Sequence, residues 1–234
     1  MKKKYILTII LVFTAICGYS QKFGVGFQVG HGSYSMSGLK SINSYVVHNV
    51  PIKTKIVSDF PAYWYYKPSI SLNYENFSIG LLSIFQSTGS RVSAKDYSGE
   101  YRFDLKVKSH NPGIYGETAL FTKPKMQLTI SSIVGVSWSK LKMEEYTIIY
   151  DEVLTNEKID FKAFSYYVEP GFNFYYRIYF MIVGINAGYF LPLEKEEFYT
   201  NDNKDHMLMS PQTNQPIKPD WNGFRVGLSF RYVL

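Results

Sequence analysis

The sequence predicts an all-β fold: a single eight-stranded antiparallel up-and-down transmembrane β-barrel, with short turns on one edge and four long loops on the other. Three observations predict it. Apolar and polar residues alternate with period two over eight separate segments, and no segment reads as an amphipathic helix of useful length. The connections between segments are alternately tight and long, with both ends of the chain on the tight edge. Aromatic residues make up 18% of the chain, 21 Tyr and 17 Phe among them, and many gather at segment ends, where amphipathic rings suit a membrane interface.

The chain opens with Met1-Lys2-Lys3-Lys4, an uncharged apolar run from Tyr5 to Ile16, and Gly18-Tyr19-Ser20 before Gln21. Cations, a short apolar core and small residues before the cut make a secretory signal peptide. The expectation is a cleaved leader over residues 1–20 and a barrel domain over 21–234. A short N-terminal anchor is the competing reading, but a spanning helix takes about 20 apolar residues. Lipoprotein processing at Cys17 is another, against which Ile16 is bulkier than the small residue expected before a lipidated cysteine. Cys17 is the chain's single cysteine, so the exported part has neither a disulfide framework nor thiolate chemistry. The formal charge is +6, half of it in the leader lysines. That is too mild, and too scattered, to point to nucleic acid.

The segments follow in order. Lys22–His31 alternates Phe23, Val25, Phe27 and Val29 with Gly24, Gly26, Gln28 and Gly30. Tyr65–Glu75 and Phe77–Thr88 meet at a tight turn around Asn76. Tyr101–Phe121 is interrupted by Pro112-Gly113, as a bulge or bend would interrupt it. Lys125–Lys140 follows a turn at Lys123-Pro124. Phe164–Tyr176 and Tyr179–Leu191 meet at Arg177-Ile178. Asn222–Leu234 is the clearest: Phe224, Val226, Leu228, Phe230 and Tyr232 share one face, and Gly223, Arg225, Gly227, Ser229 and Arg231 the other. The long connections are about 32–64, 89–100, 141–163 and 192–221. The first, with Tyr45-Val46-Val47 and Lys53–Val57, suggests an extra hairpin that adds no membrane-spanning strand.

A secreted β-sandwich or lipocalin-like barrel shows the same alternation with the apolar face inward. The polar faces here are rich in Gly and Ser rather than Lys and Glu, which suits a crowded lumen better than a solvated surface. With its leader, its loop plan and the ending Phe230-Arg231-Tyr232-Val233-Leu234, the chain resembles the small outer-membrane β-barrel (porin-family) proteins common in Bacteroidota, with OmpA/OmpX-type architecture. The resemblance implies the cell outer membrane as location and outer-membrane lipids as partners. It also implies that the last strand carries the signal for barrel assembly, although family members tend to finish on an aromatic and this chain finishes on Leu234. A PorT-like accessory role in secretion is one form that the resemblance allows.

Candidate chemistry lies on the inner faces. Glu117, Glu169, Arg177, Arg225 and Arg231 are expected to form a charge network in the lumen, because an eight-stranded barrel is only wide enough for side chains and unpaired buried charge is costly. At least one of Arg225 and Arg231 should pair with Glu117 or Glu169. A polar track for a small solute is the functional alternative. His31, His48, His110 and His206 have no metal-ligand spacing, and no cofactor is expected. A Ser–His–Asp set from His48, Asp59 and a serine has no support from spacing, so no enzymatic activity is expected. The stretches 144–161 and 193–220 read as acidic loops, and Asn201–Asp205 only faintly resembles a calcium loop. The fourth and fifth segments exceed the roughly 9–11 residues that cross a bilayer, so they should protrude and offer an edge to a protein partner. A structural or interaction role follows, with a narrow solute pore as the alternative.

Overall fold

The computed structural model describes residues 22–97, 99–150, 152–200 and 204–233. The leader expected over residues 1–20, Asn201–Asn203 of the calcium-like stretch and Leu234 lie outside the described residues. The elements are β1 (Lys22–Gly32), α1 (Ser37–Asn49), β2 (Lys55–Asp59), β3 (Tyr63–Asn73), β4 (Phe77–Lys95), β5 (Gly99–Thr122), β6 (Met126–Ile149), β7 (Glu152–Ile178), β8 (Met181–Lys195), β9 (Tyr199–Thr200) and β10 (Gly223–Val233).

Eight of the strands close into a ring in which every neighbour is antiparallel: β1 pairs β3 and β10, β10 pairs β8, and the series β8-β7-β6-β5-β4-β3 completes the circle. Closure removes the free sheet edges within the ring itself. β2 and β9 stand outside the ring, on β4 and β7. The first long connection therefore adds no barrel strand. It does not form the expected hairpin either: Tyr45-Val46-Val47 is helical, and only Lys55–Asp59 is extended.

The outer face carries a belt of exposed apolar side chains. On β10 these are Phe224, Val226, Leu228, Phe230 and Tyr232, and on β1 Phe23, Val25 and Phe27. From Phe23 to His31, at ~3.4 Å per residue and a tilt of ~40°, the belt is about 20 Å tall. On the long-loop side it ends in a cross-strand row of rings, Phe85, His110, Trp138 and Phe164, in register across β4 to β7.

Above that row the two faces exchange character. On β5 the outward residues become Lys108, Lys106, Asp104 and Arg102, while Val107, Leu105, Phe103 and Tyr101 turn inward and are buried. β4, β6 and β7 change in the same way, with Val92, Leu141 and Phe161 inward. These strands run far beyond the belt, to 19, 24, 24 and 27 residues for β4, β5, β6 and β7. The expected loop at 141–163 is thus a strand hairpin. Its acids lie along strands, where Lys142 and Lys158 contact Glu144 at 2.8 and 3.8 Å.

The extended strands form a cup with an apolar lining. It is filled by α1, through Leu39, Ile42 and the partly buried Val46 and Val47, and by Phe198, Leu208, Ile217 and Trp221 from the last long connection. Buried Asn43 of α1 donates to Asp59 at 2.8 Å and accepts from Ser90 at 3.2 Å. Trp221 packs edge-on against Tyr34 and donates to Ser139 at 2.8 Å. Asp220 gathers Lys195 at 2.7 Å, Asn222 at 2.6 Å and Ser37 at 3.2 Å, which ties the ends of two long connections together over the barrel mouth.

The bend expected at Pro112-Gly113 is absent. Both residues stay in register with β4, and β6 continues in register on either side. The bulge sits lower, between Ala119 and Phe121. Gly113 and Gly135 are needed for another reason: a Cβ on Gly113 would lie 2.6 Å from the Tyr167 hydroxyl, and the Tyr167 ring also covers Gly135.

Candidate functional site

Two charged layers cross the lumen. The upper one is centred on Glu169 of β7. Its carboxylate accepts from Lys67 Nζ of β3 at 2.6 Å and from Arg225 Nη1 of β10 at 2.5 Å. Arg225 Nη2 also donates to Gln86 Oε1 of β4. Gln86 in turn donates to Ser109 at 2.9 Å, and Ser109 to Asn111 at 2.9 Å. The guanidinium lies 3.9 Å from the centre of the Phe190 ring, which stacks on Tyr167. Arg225 is 1% exposed and Glu169 5%, so both charges are withdrawn from bulk solvent.

The lower layer is centred on Glu117 of β5. It accepts from Arg231 of β10 at 2.8 Å, from Thr129 at 2.6 Å and from the Tyr175 hydroxyl at 3.3 Å. Arg231 lies over the Tyr175 ring and also reaches Asn73 at 3.5 Å. An amide chain continues the layer: Asn186 donates to Asn173 at 2.6 Å, and Asn173 to Thr129 at 3.1 Å.

Local sequence explains the packing. Four inward glycines, Gly30 of β1, Gly227 of β10, Gly80 of β4 and Gly184 of β8, lie against tyrosines, whereas Gly26 lies by the Arg231 stem. A Cβ on Gly30 would lie 2.6 Å from Tyr65 Cζ, and one on Gly227 2.8 Å from its hydroxyl. Gly80 receives Tyr115, and Gly184 receives Tyr175. Rings on small residues narrow the lumen until the charged layers fill it. Between the layers is a cavity of about 60 Å³, lined in part by Tyr115, Asn186, Arg225 and Ser229. Each of these four has a polar atom without a protein partner, and a polar cavity of this size accommodates a few waters. On the short-turn side the lumen opens as a basin of about 900 Å³ over Glu117, Tyr175 and Arg231.

The structure brings four of the five sequence-derived residues together as two pairs, Arg225 with Glu169 and Arg231 with Glu117. Arg177 is the correction. It is exposed on the rim of the basin, one residue from the end of β7, where the inward-outward alternation gives way to the turn. Two members of the upper layer were not anticipated, Lys67 and Gln86. Lys67 shares a face with Ser69 and Ser71 and alternates with Tyr66, Pro68 and Ile70, which is the signal that finds it. Tyr65 likewise leaves the exposed group Tyr63, Trp64 and Tyr66 and is buried in the lumen, where Gln28 donates to it at 2.6 Å.

The histidines are dispersed. His31 packs on Trp64, His110 meets Ser83 at 2.6 Å, and His48 contacts the Ser44 carbonyl of its own helix at 2.6 Å. Asp59 is engaged by Asn43 instead of His48. Among the described residues there is no group of three or more His, Cys, Asp or Glu placed to hold a metal.

No family model and no curated protein matches the sequence. Among solved structures, the chain is similar to Ail, the attachment invasion locus protein of Yersinia pestis, at 9% identity and a TM-score of 0.38, covering 91% of this chain and 97% of that one. The same protein in complex with the heparin analogue sucrose octasulfate is similar at 10% identity and a TM-score of 0.44, covering 90% and 99%. The outer-membrane protease OmpT from Escherichia coli is similar at 11% identity and a TM-score of 0.39, covering 92% and 95%. The barrel of the present chain rests on its own closed ladder of strand pairs, independently of these likenesses.

Proposed function

We propose that the chain is an outer-membrane β-barrel that does not conduct and does not catalyse, and that it acts by interaction through the head formed above its apolar belt. The exchange of faces along β4 to β7 carries this reading. Below the ring row the apolar side is outward, as contact with lipid requires, and above it the apolar side is inward, as water requires. A barrel wall that turns soluble part-way up is a stalk for a head. The two charged layers support the non-conducting part, since they leave only the 60 Å³ cavity between them.

The head offers one prepared edge. β2 covers the upper part of β4. On the opposite side, among the described residues, β7 has no ladder partner other than β6 over 152–160, because β9 joins only at Phe161 and Lys162. Val153, Leu154 and Ile159 are exposed there, and Tyr150 beside them is 77% exposed. An uncovered edge with apolar side chains accepts a strand from a partner. The test is co-purification from gently solubilised membranes, comparing the native chain with L154K/I159K. The reading expects a partner held by the native protein and released by the variant, with the barrel intact in both. An unchanged set of co-purifying proteins refutes it.

A further inference from the structure

We propose that the outer face of β5, β6 and β7, just above the ring row, binds the net-anionic, phosphate-bearing headgroups of lipids in the surrounding leaflet through Lys108, Lys140 and Lys162. These three lysines are directly opposite one another, Lys108 against Lys140 and Lys140 against Lys162. All three are exposed. At ~4.8 Å between strands they span about 10 Å. Each stands two residues above a ring of the row, His110, Trp138 and Phe164. The ammonium groups therefore lie where the apolar belt ends.

Like charges directly opposite on a sheet repel. Elsewhere on this face the chain answers such charges with acids. Arg91 and Arg102 meet Asp104 at 2.6 and 3.4 Å, and Lys142 meets Glu144 at 2.8 Å. Among the described residues, Lys108, Lys140 and Lys162 have no such acid, and neither does Lys106 in the next row up. Among the described residues, the sheet thus leaves a row of three cations with no acid where the apolar belt ends, whereas the rows above it carry acids such as Asp160, Glu144 and Asp104. Headgroup phosphates supply the missing counter-charge, with the apolar belt holding the same lipids by their chains.

The inference rests on the membrane reading given above, and Trp138 provides a readout that separates the two. The full barrel, carrying W64F so that Trp138 is its exposed tryptophan, is reconstituted in phosphatidylcholine vesicles. These are doped at equal mole fraction with tail-brominated phosphatidylglycerol or tail-brominated phosphatidylcholine. The expected result is quenching of Trp138 by both, with the anionic lipid enriched several-fold, on the order of five-fold per lysine engaged at low salt. K108Q/K140Q/K162Q should bring the ratio to one, with K140Q alone intermediate. Equal quenching by the two lipids in the unsubstituted row overturns this inference and needs no variant to fold. No quenching by either overturns the membrane reading itself. A preference that survives the triple substitution places the headgroup elsewhere and also overturns it, as does binding of soluble dextran sulfate by the row in vesicles that show no lipid preference.

Discussion

Removing the Glu169 carboxylate is the most discriminating change in the lumen. Glu169→Gln keeps the shape of the side chain but leaves Lys67 and Arg225, 2.6 and 2.5 Å away, without a counter-charge. Both cations are nearly inaccessible, with side chains 7% and 1% exposed. Uncompensated charge at that burial costs about 3–5 kcal/mol. Lys67→Met is the informative contrast. It takes one cation from a group of two cations and one anion and leaves Arg225 and Glu169 as a balanced pair, so it should cost less than about 1 kcal/mol or stabilise slightly. The assay is urea unfolding of the barrel refolded in phosphatidylcholine vesicles, followed by tryptophan emission. The order expected is Glu169→Gln far below Lys67→Met, with Lys67→Met near the native chain. Equal midpoints for Glu169→Gln and the native chain refute the idea that the upper layer is a buried plug held together by its one carboxylate.

Leu228, mid-way along β10 between Val29 and Ile185, should cost about 2–4 kcal/mol as Leu228→Arg in the same assay, and far less if it faces water. Gly30→Ala should cost about 1–3 kcal/mol, because its methyl meets both Tyr65 and the Val226 carbonyl. Burial pushes the Asp220 carboxyl up, but hydrogen bonds from Lys195, Ser35 and Ser37 outweigh it and hold its pKa below the ordinary 3.8. A depressed pKa means the contribution is present above that value and lost as pH falls through the lowered one. Protease cleavage of the long connections should therefore rise below pH 3.8, and Asp220→Asn should show that sensitivity already at neutral pH. N-terminal sequencing of the exported protein should begin at Gln21; a Met1 start or a lipid on Cys17 would refute the leader.

How much of this was legible in the sequence depended on whether one face stayed apolar. On β10 it does, so the outward Leu228 and the inward Arg225 and Arg231 can be read directly from the alternation. On β7 it does not. Phe164 is outward and Phe161 inward, and the exchange of faces between them made 152–163 look like an acidic loop. α1 was missed because its deeply buried positions are Leu39, Ile42 and the polar Asn43, too thin a stripe to register as amphipathic. Its N-cap, Met36, adopts a left-handed conformation with no side-chain cap, so no start signal marks it. In the plug, the arginines and glutamates were legible from facing alone. Lys67 was not sought, because a lysine in a strand reads as solvated until its neighbours Ser69 and Ser71 are assigned to the lumen. The role of the glycines was half visible. Their smallness marked free space, but which rings fill it depends on strand register, and register comes only with the closed ring.

Planar-bilayer recording of the purified native barrel tests the central claim most directly. Two ion-paired layers, Lys67 and Arg225 on Glu169 and Arg231 on Glu117, close the lumen, so the native chain should insert without steady conductance. Glu169→Gln, if it folds, should show at most brief openings. Steady ohmic current through the native barrel, selective for anions past the three lumenal cations, would contradict the account and make the protein a narrow pore.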